Sequence, residues 1–334
     1  VTSWLVKAAA QGVMSVLPGR NHLNHLFQEH VTHSMALTES GFDLKLGQCC
    51  RHLQNYRRIM KQEAPSLALE LGTGWYPIVP VGLALAGAAH IVTIDTTSLL
   101  SVERTEQALD FYATRWQSGR LREQLPGVCA ERVDTLMGLV AERGSAGGAE
   151  DLLGRLGVRV LVGDARLCPL AQGCVDLFVS NNTLEHIPPQ VLREIMIEFG
   201  RLAAPSAVMD HFVDLSDHYA HFDSKITPFN YLHYADPVWW LFNNRLQYQS
   251  RLRASDYRTI MEEAGFRITA EEREYGDAGE LARTQLARRF QPYRTEDLLV
   301  LRTWLTALAR STATAPNAPS PLTDGSATTH HRKH

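Results

Sequence analysis

The chain has 334 residues, a formal charge of −3 and 45% apolar residues. That is enough to bury a sizeable core as one large α/β domain or two small ones. No net basic field draws it to nucleic acid or anionic lipid, and no stretch approaches the roughly 18 uninterrupted apolar residues of a membrane span. Its five cysteines are odd in number and lack zinc-ligand spacing. They make neither a disulfide framework nor a zinc ribbon, and fit a reducing cytoplasm.

The N-terminal stretch VTSWLVKAAAQGVMSVLPG is mildly apolar and carries one lysine. The run Arg20-Asn21-His22 and the cysteine pattern argue against a signal sequence and for an amphipathic helix over the core. Residues 1–65 read as a helical cap, with Leu23, Leu26 and Phe27, then Leu53, Tyr56 and Met60, at helical spacing. A polar loop at Thr38–Gly41 is expected to divide it, and Pro65 to end it. Strands and helices then alternate. Strands are expected at Leu67–Leu71, Ile91–Asp95, Val158–Val162, Val175–Ser180 and Ala207–Val213. Helices are expected at Ile78–Ala88, with Pro77 in its first turn, at Val102–Trp116 and at Val191–Leu202. Residues 118–157 hold Gly-rich breaks between short helical patterns. Residues 214–252, rich in His, Asp, Asn and aromatics, read as a lid insertion over the sheet. Ser255–Ala264 is a further helix with Ser255 as N-cap, and Phe266–Ala270 and Leu298–Leu301 are the final strands. Residues 311–334 lack apolar bulk and are expected to be a disordered tail. The alternation implies a doubly wound, mostly parallel, Rossmann-like α/β sheet over residues 66–310.

In such a sheet ligands bind beyond the carboxyl ends of the strands, where strand order switches. Four strand ends carry residues suited to one nucleoside ligand. Glu70-Leu71-Gly72-Thr73-Gly74 offers glycines for close backbone approach and a tight turn into a helix; an ordinary strand-to-helix turn has the same composition. Asp95, followed by Thr96, can accept hydrogen bonds from both hydroxyls of a ribose, or can simply form a turn. Asp164 can take an adenine amino group while the adjacent backbone N–H of Ala165 meets a ring nitrogen. Asn181, Asn182 and the following Thr183-Leu184-Glu185-His186 face the remainder of the ligand and its reaction partner.

The series ELGTG, VTID and VGDARLCPLAQGCVDLFVSNNTLEHI, over roughly residues 65–213, resembles the motif series of class I S-adenosylmethionine-dependent methyltransferases. The resemblance implies S-adenosylmethionine as cofactor and methyl transfer to a small-molecule acceptor at oxygen, nitrogen or carbon. It places Gly72 and Gly74 by the methionine part, Asp95 on the ribose and Asp164 and Ala165 on adenine. Asn181 shares the site, and Glu70 supports the loop. The sequence departs from the family at Trp75-Tyr76-Pro77, where small residues are usual, and in a longer gap between Asp95 and Asp164. Two other readings stand: a binding or scaffold protein that has lost catalysis, and a nicotinamide oxidoreductase. The last needs G-x-G-x-x-G, and position 77 is Pro.

The acceptor side is less defined. His211, Asp214, Asp217, His218, His221 and Asp223 form a dense cluster. It reads as a divalent-metal site, as acid/base groups, or as a hydrogen-bonded loop. His218, His221, Glu185 and His186 are the candidate catalytic residues, and no metal ligand set is assigned. Phe229, Tyr231, Tyr234, Trp239, Trp240 and Phe242 line an acceptor pocket or form the lid's own core. Arg245, Arg251 and Arg253 meet an acidic acceptor or are solvated. The N-terminal helices either close over the ligand or make a homodimer.

Overall fold

A computed structural model describes residues 4–8, 12, 36–144, 147–244 and 248–310. The expectations for Leu23, Leu26 and Phe27, for Arg245 and for the 311–334 tail fall outside these residues. Seven strands form one sheet: β1 (Leu67–Leu71), β2 (His90–Asp95), β3 (Val158–Val162), β4 (Val175–Asn181), β5 (Ala203–Asp214), β6 (Phe266–Tyr275) and β7 (Val300–Ala309). Their order is β3-β2-β1-β4-β5-β7-β6. β1 to β5 pair in parallel, and β7 runs antiparallel to both β5 and β6. This is the doubly wound order with a reversed strand placed between the fifth and sixth. The direction of winding switches between β1 and β4, so a crevice opens beyond Leu71 and Asn181.

Two cores follow from the alternation of side chains along the strands. On one face Ala68, Leu177 and Val179 pack with α1 (Glu39–Met60), α2 (Ile78–Leu85), α3 (Val102–Gln117) and α5 (Ala130–Ala141). On the other, Leu69, Phe178 and Met209 pack with α7 (Pro189–Leu202) and α9 (Ala254–Glu263). The shorter helices α4 (Arg120–Gln124) and α6 (Ala149–Arg155) complete the β2–β3 connection. No helix among the described residues is long and apolar enough to cross a membrane.

Several boundaries differ from expectation for local reasons. Thr38–Gly41 is not a loop. Thr38 caps α1, its hydroxyl accepting the Gly41 N–H at 3.1 Å; the cluster of small polar residues is a helix start. Pro77 is the N-cap of α2, and the helix stops at Leu85 because Gly87 enters the left-handed region at φ +92. Ser255 does not cap α9. That position is Arg253, whose N–H is accepted by Asp256 at 2.8 Å, while the Ser255 hydroxyl donates to Asp297. Leu298 ends a short helix, α11 (Thr295–Leu298), and the last strand runs on to Ala309.

The segment after β5 holds 3-10 turns at His218–His221 and Asn230–His233, and α8 (Asp236–Phe242). Tyr219, Phe229, Tyr231 and Trp239 form a small core there with Trp4, Leu281 and Phe290; α10 (Ala278–Arg283) supplies Leu281. Arg253 pins this core to the sheet. It is fully buried and donates to the carbonyls of Leu215, Leu298 and Val300.

Candidate functional site

Beyond the switch point lies a cleft of about 980 Å³. Glu70, Gly72, Thr73, Gly74, Asp95, Thr96, Asp164, Ala165, Asn181 and Asn182 all line it, as do His186, His218 and His221. Glu185 lies behind the wall, 1% exposed. A second hollow of about 470 Å³ shares Thr73, Asp95 and Thr97 and extends toward β3 and α6.

The glycines of the first loop have different reasons. Both have positive φ, +89 at Gly72 and +66 at Gly74. A Cβ on Gly72 would overlap the Thr183 side chain, standing 2.7 Å from its Cγ2, whereas one on Gly74 would meet nothing within 4 Å. Gly72→Ala is therefore expected to destabilise the fold by about 2–4 kcal/mol, strain and overpacking combined. Gly74→Ala should cost about 1 kcal/mol, because a single left-handed alanine is tolerable, and its methyl should instead obstruct the cleft. Thermal melts and cofactor titrations of the two variants check this; equal loss of stability would contradict it.

Asp95 at the end of β2 is half-buried. Its carboxylate accepts the N–H of Gly74 and of Thr97, each at 3.2 Å. Burial raises its pKa, and these backbone donors oppose the shift. The loop after β1 and the acid after β2 are thus one hydrogen-bonded unit. Behind it, Glu70 is buried and accepts the Thr93 hydroxyl at 2.7 Å, and Thr93 in turn pairs with Thr73 at 2.7 Å. Burial pushes the Glu70 carboxyl up to about 8, against the pull of the Thr93 hydrogen bond and Lys45. A carboxyl raised above its unfolded value of about 4.3 contributes stability that is full at low pH and lost as pH rises toward 8. Glu70→Gln keeps an acceptor for Thr93 but cannot ionise. Its Tm relative to the parent should climb between pH 5 and 8, by the equivalent of a few kcal/mol at most; parallel Tm–pH curves would contradict this.

Asp164 sits at the rim, exposed, in an ion pair with Arg166 at 2.6 Å; Arg166 also reaches Glu194 at 2.7 Å. Arg166 holds the Asp164 carboxyl below its usual range. Asn182 adopts φ +55, which asparagine tolerates better than most residues. Trp75 and Tyr76 form part of the cleft wall. The Arg104 guanidinium lies 4.7 Å above the Trp75 ring, and the Tyr76 hydroxyl accepts the Leu37 N–H at 3.3 Å. The departure at Trp75-Tyr76-Pro77 thus ties the first loop to α3 and to the segment leading into α1.

The sequence reading missed the contribution of α1. Lys45 reaches into the cleft, and its Nζ donates to Asn182 Oδ1 at 3.4 Å. Burial lowers its pKa, while the charges of Glu70 and Glu185 raise it. One turn pair further, His52 Nδ1 lies 2.7 Å from Asp210 Oδ2, and His52 Nε2 lies 3.1 Å from Asn181 Oδ1. Asn181 Nδ2 is buried with no hydrogen-bond partner among the described residues. A pattern of helical apolar spacing carries no sign of these polar residues; only their charge on a largely core-facing helix could have flagged them.

The His/Asp cluster is divided by the fold. His211 is buried within β5, paired with the Ser180 hydroxyl at 2.7 Å, and burial drives its pKa down to about 3. Asp214 accepts the Ser216 hydroxyl at 2.6 Å, Asp217 caps its own 3-10 turn, and Asp223 accepts the Trp4 N–H at 3.0 Å. Only His218 and His221 of the six reach the cleft. Burial, then His186, lowers the His218 pKa to about 3. None of Phe229, Tyr231, Tyr234, Trp239, Trp240 and Phe242 lines the cleft; Phe222 and Tyr248 do. Arg251 and Arg253 are not solvated and do not face the cleft. Arg251 bonds the Tyr231 and Tyr234 carbonyls and Asp236, and Arg253 bonds the carbonyls named above.

No family model matches the sequence, and no curated relative is found. Solved structures similar to this one include an S-adenosylmethionine-dependent methyltransferase from Methanosarcina mazei, 15% identical, spanning 74% of this chain and 93% of that one at a TM-score of 0.41. A second, from Mesorhizobium loti, is 13% identical and spans 75% of this chain and 94% of that one at 0.38. The cyclase SpnF is also similar, at 13% identity, 78% and 80% coverage and 0.38. These likenesses are of general α/β layout.

Proposed function

We propose that this chain is an S-adenosylmethionine-dependent methyltransferase acting on a small-molecule acceptor. The observation that carries the reading is the convergence of Gly74, Asp95, Ala165 and Asn181, from four successive strand ends, on one cleft at the switch point. The donor set suits the cofactor. Asp95 offers a half-buried carboxylate to a ribose diol, and Asn181 Nδ2 is a buried donor awaiting an acceptor such as the methionine carboxylate. The open space at Gly74 allows a ligand to approach the backbone.

When bound, the cofactor supplies a methyl group on a sulfonium; its C–S bond breaks as the bond to the acceptor forms, and the electron pair stays on sulfur. The protein's part is positioning and desolvation. Asp95 and the Gly74 loop fix the nucleoside end. Lys45, Asn181 and Asn182 set the polar floor beside the methionine end. His186, His218, His221, Phe222 and Tyr248 face the acceptor side. To test the reading, the protein is incubated with methyl-labelled S-adenosylmethionine and metabolite extracts. Label appearing in a small molecule supports it; label that stays in the cofactor across broad extracts contradicts it and favours a scaffold.

A further inference from the structure

Two histidines on the acceptor wall and a carboxyl just behind it are arranged for more than acid/base work. Glu185, in the 3-10 turn after β4, is fully buried. Its Oε1 accepts the Asp214 N–H at 3.4 Å, and its Oε2 has no hydrogen-bond partner among the described residues. An orphaned carboxyl oxygen in a low-dielectric interior is costly unless something binds it. His186 Nδ1 lies 2.7 Å from the Tyr248 carbonyl. A carbonyl only accepts, so Nδ1 carries the hydrogen and the lone pair is left on Nε2. The His218 ring lies 5.0 Å from that of His186, and its Nε2 is a second buried atom without a partner among the described residues. One donor atom from each of Glu185, His186 and His218 falls within 4.8 Å of the others.

We propose that Glu185, His186 and His218 form a site for a divalent first-row transition-metal ion, whose open coordination positions face the cleft and take an oxygen-donor acceptor such as an alcohol, phenol or enol. Two imidazoles and one carboxylate suit such ions better than Mg²⁺ or Ca²⁺, which prefer all-oxygen sets. Three protein ligands leave positions for a substrate, as in catalytic rather than structural sites. The Nδ1–H···O=C bond from His186 to Tyr248 is the orienting contact that metal-binding histidines ordinarily make. Donors about 2.1 Å from a common ion are at most about 4.2 Å apart, a spacing compatible with the 4.8 Å bound on these three. The choice of an oxygen acceptor rests on the methyl-transfer reading; the ion site does not. On that reading the ion-bound hydroxyl loses its proton to water, its oxygen bonds to the methyl carbon, and the C–S bond breaks with its electron pair left on sulfur.

The test is calorimetric titration of the full chain with Co²⁺, with His330, His331 and His334 replaced by alanine because that tail run could bind metal by itself. One ion per chain is expected, with a micromolar or tighter Kd. His218→Ala and Glu185→Gln should each weaken it at least tenfold, and the exposed His90→Ala should leave it unchanged. Each variant is also titrated with S-adenosylhomocysteine, which reports a folded cleft and so separates loss of the ion site from disturbed packing around Glu185. Wild-type Co²⁺ affinity in a folded His218→Ala protein, or no Co²⁺ binding by a parent that binds S-adenosylhomocysteine, overturns the metal site alone. Co²⁺ binding at these residues without S-adenosylhomocysteine binding leaves the metal site and overturns the methyltransferase reading.

Discussion

Replacing Asp95 by alanine is expected to weaken S-adenosylmethionine binding by roughly 100-fold or more while leaving Tm near that of the parent. Each hydrogen bond from a ribose hydroxyl to a carboxylate is worth about 1.5–3 kcal/mol, and about 1.4 kcal/mol is a factor of ten. The two N–H groups freed at Gly74 and Thr97 border the open cleft, where water can take the place of the carboxylate. The stability cost is therefore small and the affinity cost large. Asp95→Asn should lie between, since it keeps one oxygen acceptor but loses the charge. Titration calorimetry and thermal melts on both variants measure this. Unchanged affinity in Asp95→Ala would remove Asp95 from the site, and a collapse of Tm would make it a structural turn residue.

The largest stability loss is expected not at the cleft but behind it, at Asp210. This β5 carboxylate is fully buried and accepts four hydrogen bonds: from His52 Nδ1 at 2.7 Å, Asn55 Nδ2 at 3.0 Å, Trp304 Nε1 at 2.8 Å and Thr306 Oγ1 at 2.6 Å. It joins α1, β5 and β7 at one point. Asp210→Ala leaves four buried donors without an acceptor, each costing about 1–3 kcal/mol, with less than full additivity. A loss of at least about 4 kcal/mol follows, comparable with breaking a buried ion pair. Asp210→Asn should recover little, because an amide turns an N–H toward donors that need an acceptor. Denaturant unfolding measures both; a loss under about 1 kcal/mol in Asp210→Ala would show the network is dispensable. In any variant that still folds, His52 is released and Asn181 loses its anchor, so cofactor affinity should fall with stability.

What could be read from sequence was whatever is local. The buried strands β1 and β4 and the edge strand β3 are mostly apolar runs closed by Gly, Asp or Asn, so their ends and the residues carried there were legible. So was the shared cleft, since parallel strands bring their carboxyl ends to one edge. Thr38 and Ser255 were misread because small polar residues serve loops and caps alike, and only backbone geometry tells which. Arg251 and Arg253 look like solvated or ligand-binding charges in sequence; their burial depends on carbonyls from the Tyr231 turn and from β7, which no local pattern encodes. Lys45 and His52 lie on a helix whose apolar spacing announces core. Lys45 reaches the cleft, and His52 reaches Asn181 from behind it, because α1 packs across β4 and β5, a tertiary fact. The His/Asp run from 211 to 223 looked like one site, but a strand, a turn and a 3-10 helix point its members in different directions.

The most direct measurement is calorimetric titration of the full chain with S-adenosylmethionine, S-adenosylhomocysteine and NAD. The account predicts micromolar binding of the first two, one per chain, and no comparable binding of NAD. Micromolar NAD binding with neither sulfur ligand bound would contradict it.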